Sequence, residues 1–437
     1  MTWTTSTPDF PRRALGAALL ALSMGAACCA SAGTAPAPAY WAGTWGSAPA
    51  PTPQGDGQET FDNQTVRLIV HTSIGGKRVR VRLSNELGST PLALGAVHVA
   101  LRAAGAAIVP GSDRVLTFGG QGGVTLAAGA PALSDPVDLD VPAMADLAVS
   151  IHVPGQVKVT TEHHAAQQTG YVSAPGDHAG AAEMASTRKL GSWPFLTEVD
   201  VGAAVQDPVL VAFGDSITDG SGITFDSNRR WPDLLMRRLQ ARDAPRLGIV
   251  NRGIGGNRLL RDPAGWPPFG KAGLARFDHD VLATAGVKYV LVLIGINDIG
   301  HPGSGAPPGE VVSAQDLIGG YRQLIARAHA KGIAIYGATL TPFEGTVFPG
   351  YYSADKDSVR QQVNAWIRSS GEFDAVIDFD QALRDPAHPA RVLPAYDSGD
   401  HLHPSDAGMQ ALAAAVPLAL LRQAAAPSAK SKAAKKR

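Results

Sequence analysis

The chain has 437 residues, enough for two or three domains, and at 45% hydrophobic it can bury sizeable cores. Lys plus Arg and Asp plus Glu both total 38, so the formal net charge is zero. That balance lacks the electrostatic footprint of a nucleic-acid or anionic-membrane binder, while 49 glycines and 32 prolines predict many turns.

Residues 1–32 read as an export signal peptide. Arg12 and Arg13 precede an apolar stretch over 14–27, and Ala30-Ser31-Ala32 offers small residues for cleavage. The stretch is too short for a transmembrane anchor, so the expected location is secreted or periplasmic. Cys28 and Cys29, the only cysteines, sit at the end of this segment. A chain cut after Ala32 therefore has no disulfide, thiol nucleophile or thiolate metal site. Lipidation at Cys28 is the competing reading; the apolar residue usual three positions earlier is replaced by Gly25.

After a Pro/Ala linker at 33–39, residues 40–201 predict an all-β domain, a sandwich or jelly roll. Apolar and polar residues alternate over 65–71 and 78–83 around Ile74-Gly75-Gly76-Lys77, a hairpin signal. Further strands are predicted at 96–101, 114–118, 137–141 and 147–153.

From 207 to 423 the pattern changes. Continuous apolar runs at 209–213, 247–251, 289–294, 333–339 and 375–379 alternate with amphipathic helical stretches at 231–241, 315–330, 358–370 and 405–421. Strands apolar on both faces belong to a parallel sheet between helix layers. The expectation is an α/β domain, a three-layer α/β/α doubly wound parallel sheet with its ligand edge at the strands' carboxyl ends. Residues 424–437 form a low-complexity basic tail, for which disorder is expected.

Chemistry-bearing residues cluster after the apolar runs. The first run enters Gly214-Asp215-Ser216-Ile217-Thr218-Asp219-Gly220, a tight turn exposing a serine, although helix capping by the serine would explain it alone. The second enters Asn251-Arg252-Gly253-Ile254-Gly255-Gly256, whose spacing is not the dinucleotide fingerprint, so no nucleotide cofactor follows. The third ends in Gly295-Ile296-Asn297-Asp298, where the amide of Asn297 could donate to an oxyanion or close an Asx-turn. Before the last helix stands Asp397-Ser398-Gly399-Asp400-His401-Leu402-His403-Pro404. His403 suits proton shuttling near neutrality, and Asp400, three residues upstream, can reach back to it. Asp397 is the alternative acid at a poorer reach. A metal pair at His401 and His403 is the other reading, but no further cluster stands at ligand spacing and no metal is expected.

Taken in order, the four blocks resemble those of the SGNH (GDSL-type) hydrolases, named for Ser, Gly, Asn and His. The likeness spans 209 to about 421, and the segment 40–201 resembles the β module preceding this domain in two-domain secreted bacterial esterases. The resemblance implies a serine esterase without cofactors, with Ser216 as nucleophile, Asp400 and His403 as its partners, and an oxyanion hole from Ser216, Gly256 and Asn297. Gly256 follows from the family's spacing after a strand-end Asn, and Gly255 stays open. The lipase-like elbow G-x-S-x-G is absent.

Asp215 and Asp298 are expected to stabilise turns and strand ends. Arg229, Arg230, Trp231, Arg258 and Arg261 are expected in solvation and packing, with lining of the acyl or alcohol site as the alternative, and His163-His164 in a solvated turn. The expected substrate is a small-molecule or glycan ester, with no nucleic-acid partner; oligomeric state, acyl length and alcohol stay open. A broad aryl or short-chain esterase, acyl transfer to sugar, and a glycan-binding protein with a vestigial hydrolase domain are the rivals.

Overall fold

The computed structural model describes residues 40–203, 205–241 and 244–422. The segment expected to be a signal peptide, both cysteines, the expected linker and the expected tail lie outside the described residues. Among those described, no helix is long and apolar enough to cross a membrane.

The amino-terminal region is built from antiparallel sheets. In one, Leu196–Ala203 lies between Tyr40–Gly46 and Gly76–Ser84, and Val137–Val141 follows on the far edge. In the other, Thr60–His71 and Asp146–Lys158 form the centre, flanked by Gly170–Pro175 and Val97–Leu101. Their alternating apolar faces meet in one core: Val66, Leu68 and Val70 from the second sheet with Val79, Val81, Val199 and Val201 from the first.

The hairpin expected around Ile74 to Lys77 does not form. Thr60–His71 pairs with Asp146–Lys158, whereas Gly76–Ser84 pairs with Leu196–Ala203. The chain crosses from one sheet to the other instead, and Thr44 holds the crossing with its Oγ1 donating to Ile74 O at 2.6 Å. Two alternating strands can share a core by pairing or by facing each other; the same pattern serves both.

The carboxyl-terminal region carries five parallel strands, labelled here β1 (Val209–Gly214), β2 (Gly248–Gly253), β3 (Val287–Leu293), β4 (Ala334–Ala338) and β5 (Ala375–Ile377), in the order β2-β1-β3-β4-β5. Helices cover this sheet, giving the doubly wound α/β architecture. Trp231–Arg238 packs with Asp406–Ala415, and Ala314–Ala330 with Ala354–Ser369. Ser313 and Asp316 close a reciprocal cap at the start of the third of these. The last helix stops at Ala415 rather than 421, because Pro417 lacks the donor needed to continue it.

The two regions share apolar packing. Val209 of β1 and Val250 of β2 belong to the core of the antiparallel sheets. Arg252 on β2 is buried, donating to Glu198, to Ser47 O, and to Thr197 O at 2.8 Å.

Candidate active site

The sheet's order reverses around β1, and ligands of such sheets bind where crossovers leave in opposite directions. Three of the four polar clusters follow β1, β2 and β3, which are adjacent there.

Ser216 opens a one-turn helix, Ser216–Asp219. Its cap is Asp215, whose Oδ1 accepts from the Ile217 N–H at 3.1 Å. Ser216 is thus not the capping residue, and its hydroxyl is left for another partner. That partner is His403, with Nε2 2.8 Å from Ser216 Oγ. His403 Nδ1 lies 2.6 Å from Asp400 Oδ2, while Asp400 Oδ1 accepts from the backbone N–H of His403 at 2.8 Å and of Leu402 at 3.0 Å. Burial pushes the Asp400 carboxyl up, but the His403 contact and these two N–H groups outweigh it and hold the carboxyl well below its usual range. An ionised Asp400 can only accept, so Nδ1 donates to it, and in the neutral ring Nε2 is the acceptor facing the hydroxyl.

Asp397 turns away from His403. Its Oδ2 pairs with His401 Nδ1, and its Oδ1 accepts from the N–H groups of Gly399 at 2.9 Å and His401 at 3.0 Å.

On the oxyanion side, the Gly255 N–H is already donated to Asp219 Oδ2 at 3.0 Å. The N–H of Gly256 has no acceptor among the described residues, so of the pair left open by spacing it is the one whose N–H is available to a ligand. Gly256 has φ +72°, and a Cβ there would lie 2.2 Å from the Phe269 ring; only glycine fits this position. Asn297 donates one amide hydrogen to Asn257 O at 3.0 Å, and its Oδ1 accepts from the Tyr351 hydroxyl at 2.7 Å. The second amide hydrogen remains for a ligand. Tyr351 lies 54 residues from Asn297 in a loop without a sequence motif, which is why sequence reasoning missed it.

Asp298 holds the loop after β2: its carboxylate accepts from the Leu259 and Leu260 N–H groups at 2.6 and 2.9 Å. Trp231 is buried, and Arg230 donates to Asp219 O at 3.0 Å. Arg258 pairs with Glu310, and Arg229 lies 3.6 Å from Asp406. The expectation for the histidine pair needs correction at His163. It is not in a solvated turn but buried, with Nε2 2.8 Å from Asp219 Oδ1. Only His164 is exposed to solvent. His163 ends the short strand Thr161–His163 and His164 opens the bend after it, so the two need not share an environment.

Residues 212–411 match the model of the GDSL-like lipase/acylhydrolase family. The carboxyl-terminal region is a GDSL-like hydrolase domain. Solved structures similar to it include a GDSL-like lipase from Bacteroides thetaiotaomicron VPI-5482, 20% identical, covering 50% of this chain and 92% of its own with a TM-score of 0.37. A lipase/acylhydrolase from Enterococcus faecalis is 19% identical over 48% of this chain and 92% of its own, with a TM-score of 0.36. An aryl esterase from M. smegmatis is 14% identical over 50% of this chain and 99% of its own, with a TM-score of 0.38. No curated protein matches the chain. Within the GDSL-like domain, the Ser216, Gly256 and Asn297 positions follow successive adjacent strands, and His403 reaches them from the last loop.

Proposed function

We propose that this protein is an exported serine esterase that opens carboxylic esters through an acyl-enzyme on Ser216. The unbroken chain from Ser216 Oγ to His403 Nε2 and from His403 Nδ1 to Asp400 is the observation that carries the reading. In the first half-reaction Ser216 Oγ attacks the ester carbonyl as its proton passes to His403 Nε2. The carbonyl oxygen becomes an oxyanion facing the N–H groups of Ser216 and Gly256 and the free amide hydrogen of Asn297. Collapse expels the alcohol, which takes the proton from His403. Water then repeats the cycle on the acyl-serine, releasing the acid and restoring the Ser216 hydroxyl. Asp400 stays ionised throughout and stabilises the imidazolium.

Short acyl groups, acetyl among them, suit the crowded oxyanion side. Phe269 lies against Gly256, His301 sits 5.3 Å from Phe269 and 5.8 Å from Tyr351 ring to ring, and Phe348 lies 6.2 Å from His403. The export leader, the preceding antiparallel β region and the zero net charge suit an ester carried on an extracellular glycan or another small alcohol. The leader motif at 1–32 supports export.

The test is a panel on the chain beginning at Gly33: p-nitrophenyl acetate, p-nitrophenyl octanoate, acetylated xylan and a feruloyl ester. Acetate release from xylan and preference for the acetyl over the octanoyl ester are expected, and Ser216→Ala should be inactive on all four. Near-normal turnover by Ser216→Ala would overturn the assignment.

A further inference from the structure

His163 belongs to the amino-terminal sheets, 53 residues before the nucleophile, in the short strand Thr161–His163. Its ring is buried beside Trp193, with ring centres 5.6 Å apart. Nδ1 lies 3.0 Å from the carbonyl oxygen of Ala48, and Nε2 lies 2.8 Å from Asp219 Oδ1. A carbonyl and a carboxylate can only accept. Both ring nitrogens therefore donate, and the ring is held as an imidazolium. Burial opposes that charge and Arg230 repels it, while Asp219 and the Ala48 carbonyl favour it and prevail, raising the His163 pKa. Arg230 is itself paired with Asp233 at 3.1 Å.

Asp219 closes the one-turn helix that Ser216 opens. One of its oxygens takes the His163 proton contact; the other accepts the Gly255 N–H at 3.0 Å. The next peptide N–H is that of Gly256. The cavity beside the pair measures about 20 Å³, room for one water and for no ligand, so the cluster is not a binding site. A pair serving only to join two regions would not need the second Asp219 oxygen on the oxyanion turn.

We propose that His163 is a positioning residue for ester hydrolysis: through Asp219 it fixes the Gly255–Gly256 turn, so that the amino-terminal β region supplies part of the oxyanion hole's support. Without the ring, Asp219 loses the partner that orients it, and the Gly256 N–H is no longer held at one distance from Ser216. The proposal rests on the esterase reading above.

The test uses the whole chain from Gly33, comparing wild type with His163→Ala, His163→Gln and Ser216→Ala. The fraction of competent sites is titrated by the p-nitrophenol released stoichiometrically from diethyl p-nitrophenyl phosphate. kcat and KM on p-nitrophenyl acetate are then expressed per titrated site. Inhibition by phenylboronic acid, which forms a tetrahedral anion on the serine, reports the oxyanion hole directly. His163→Ala should lower kcat per site roughly 10- to 100-fold, somewhat less than losing a donor outright. KM should stay within about twofold, and the boronate should weaken by the same factor as kcat. His163→Gln, which keeps an amide donor towards Asp219, should retain more activity than His163→Ala and provides the measurement if the alanine variant does not fold. Wild-type kcat per titrated site and wild-type boronate affinity in both variants would overturn the proposal. Wild-type turnover by Ser216→Ala would overturn the esterase reading instead.

Discussion

Asn297 illustrates how much a single side chain depends on partners far away in the chain. By itself its amide could face either way, but the Tyr351 hydroxyl, 2.7 Å from Oδ1, and the Asn257 carbonyl, 3.0 Å from Nδ2, fix both ends and leave one amide hydrogen free. Burial pushes the Tyr351 pKa well above its usual value, so the hydroxyl remains a donor at every pH of interest. Asn297→Ala should lower kcat on p-nitrophenyl acetate by roughly 100- to 1000-fold, the cost of one oxyanion donor. Tyr351→Phe leaves the amide held by its bond to Asn257 O alone; a smaller fall, about 10-fold, with unchanged KM is the expected steady-state result. Asp215 allows a second prediction at this scale. Burial, and to a lesser degree the charge of Asp298, lift its pKa to about 7 against the capping N–H of Ile217. A carboxyl raised on folding contributes stability that is fully present below its unfolded value of about 4 and is lost as pH rises through 7. Asp215→Asn keeps the capping oxygen and does not ionise. Denaturant titrations should show its stability relative to wild type climbing between pH 4 and 7, by at most about 1.4 kcal/mol per pH unit, and levelling off above. A parallel pair of curves across that window would contradict it.

At the scale of elements, the site is a convergence of loops. The loop after β1 ties itself to the last helix through Thr224, whose N–H and hydroxyl donate to Asp406 at 2.9 and 2.8 Å. The loop after β4 joins the histidine loop where the Val347 N–H donates to Asp400 O at 3.1 Å. Gly222 packs directly against the histidine loop. It has φ +91°, and a Cβ there would come 2.8 Å from Pro404 O and 3.2 Å from the His403 Cβ. Gly222→Ala should therefore push the histidine loop outward. A shift of about 1 Å at His403 is enough to cost on the order of 100-fold in kcat, with a stability loss of about 1–3 kcal/mol from the overpacked contact. Combined kinetics and thermal melts check both; full activity would mean that the loop absorbs the methyl group without moving His403.

The whole molecule behaves as a joined unit because the antiparallel and parallel sheets share residues of one core and a buried ion pair. Arg252 and Glu198 are each about 1% exposed and face each other across the boundary. Removing one member strands the other in a low-dielectric interior, which typically costs about 3–5 kcal/mol. Arg252→Ala should show that loss in urea titrations, and the intact protein should unfold in one transition by calorimetry and by tryptophan fluorescence alike. Residues 207–422 expressed alone would expose Val209, Val250 and the Arg252 guanidinium, and should give no cooperative melt. Two separate transitions in the intact chain would show that the shared core adds little.

The sequence by itself determined the main strands and helices from 207 onward and which segments carry chemistry; before that it read the region as β and named several strands, but not Tyr40–Gly46, Gly170–Pro175 or Leu196–Ala203. Alternation at 78–83 and unbroken apolar runs such as 209–213 report the faces that must be buried, and that information is local. The four polar clusters were legible for the same reason: each is a short run at the end of an element. Partner choice was not local. Asp400 and Asp397 both lie within reach of a histidine, and only the folded loop assigns the first to His403 and the second to His401. Gly255 and Gly256 are equivalent by spacing until Asp219 consumes the N–H of one. The strands at 60–71 and 76–84 show a hairpin's alternation, yet they enter different sheets. His163 carries no motif, and Tyr351 none either. Their roles arise from hydrogen bonds spanning 56 and 54 residues, and such contacts exist only once the tertiary structure has closed the chain on itself.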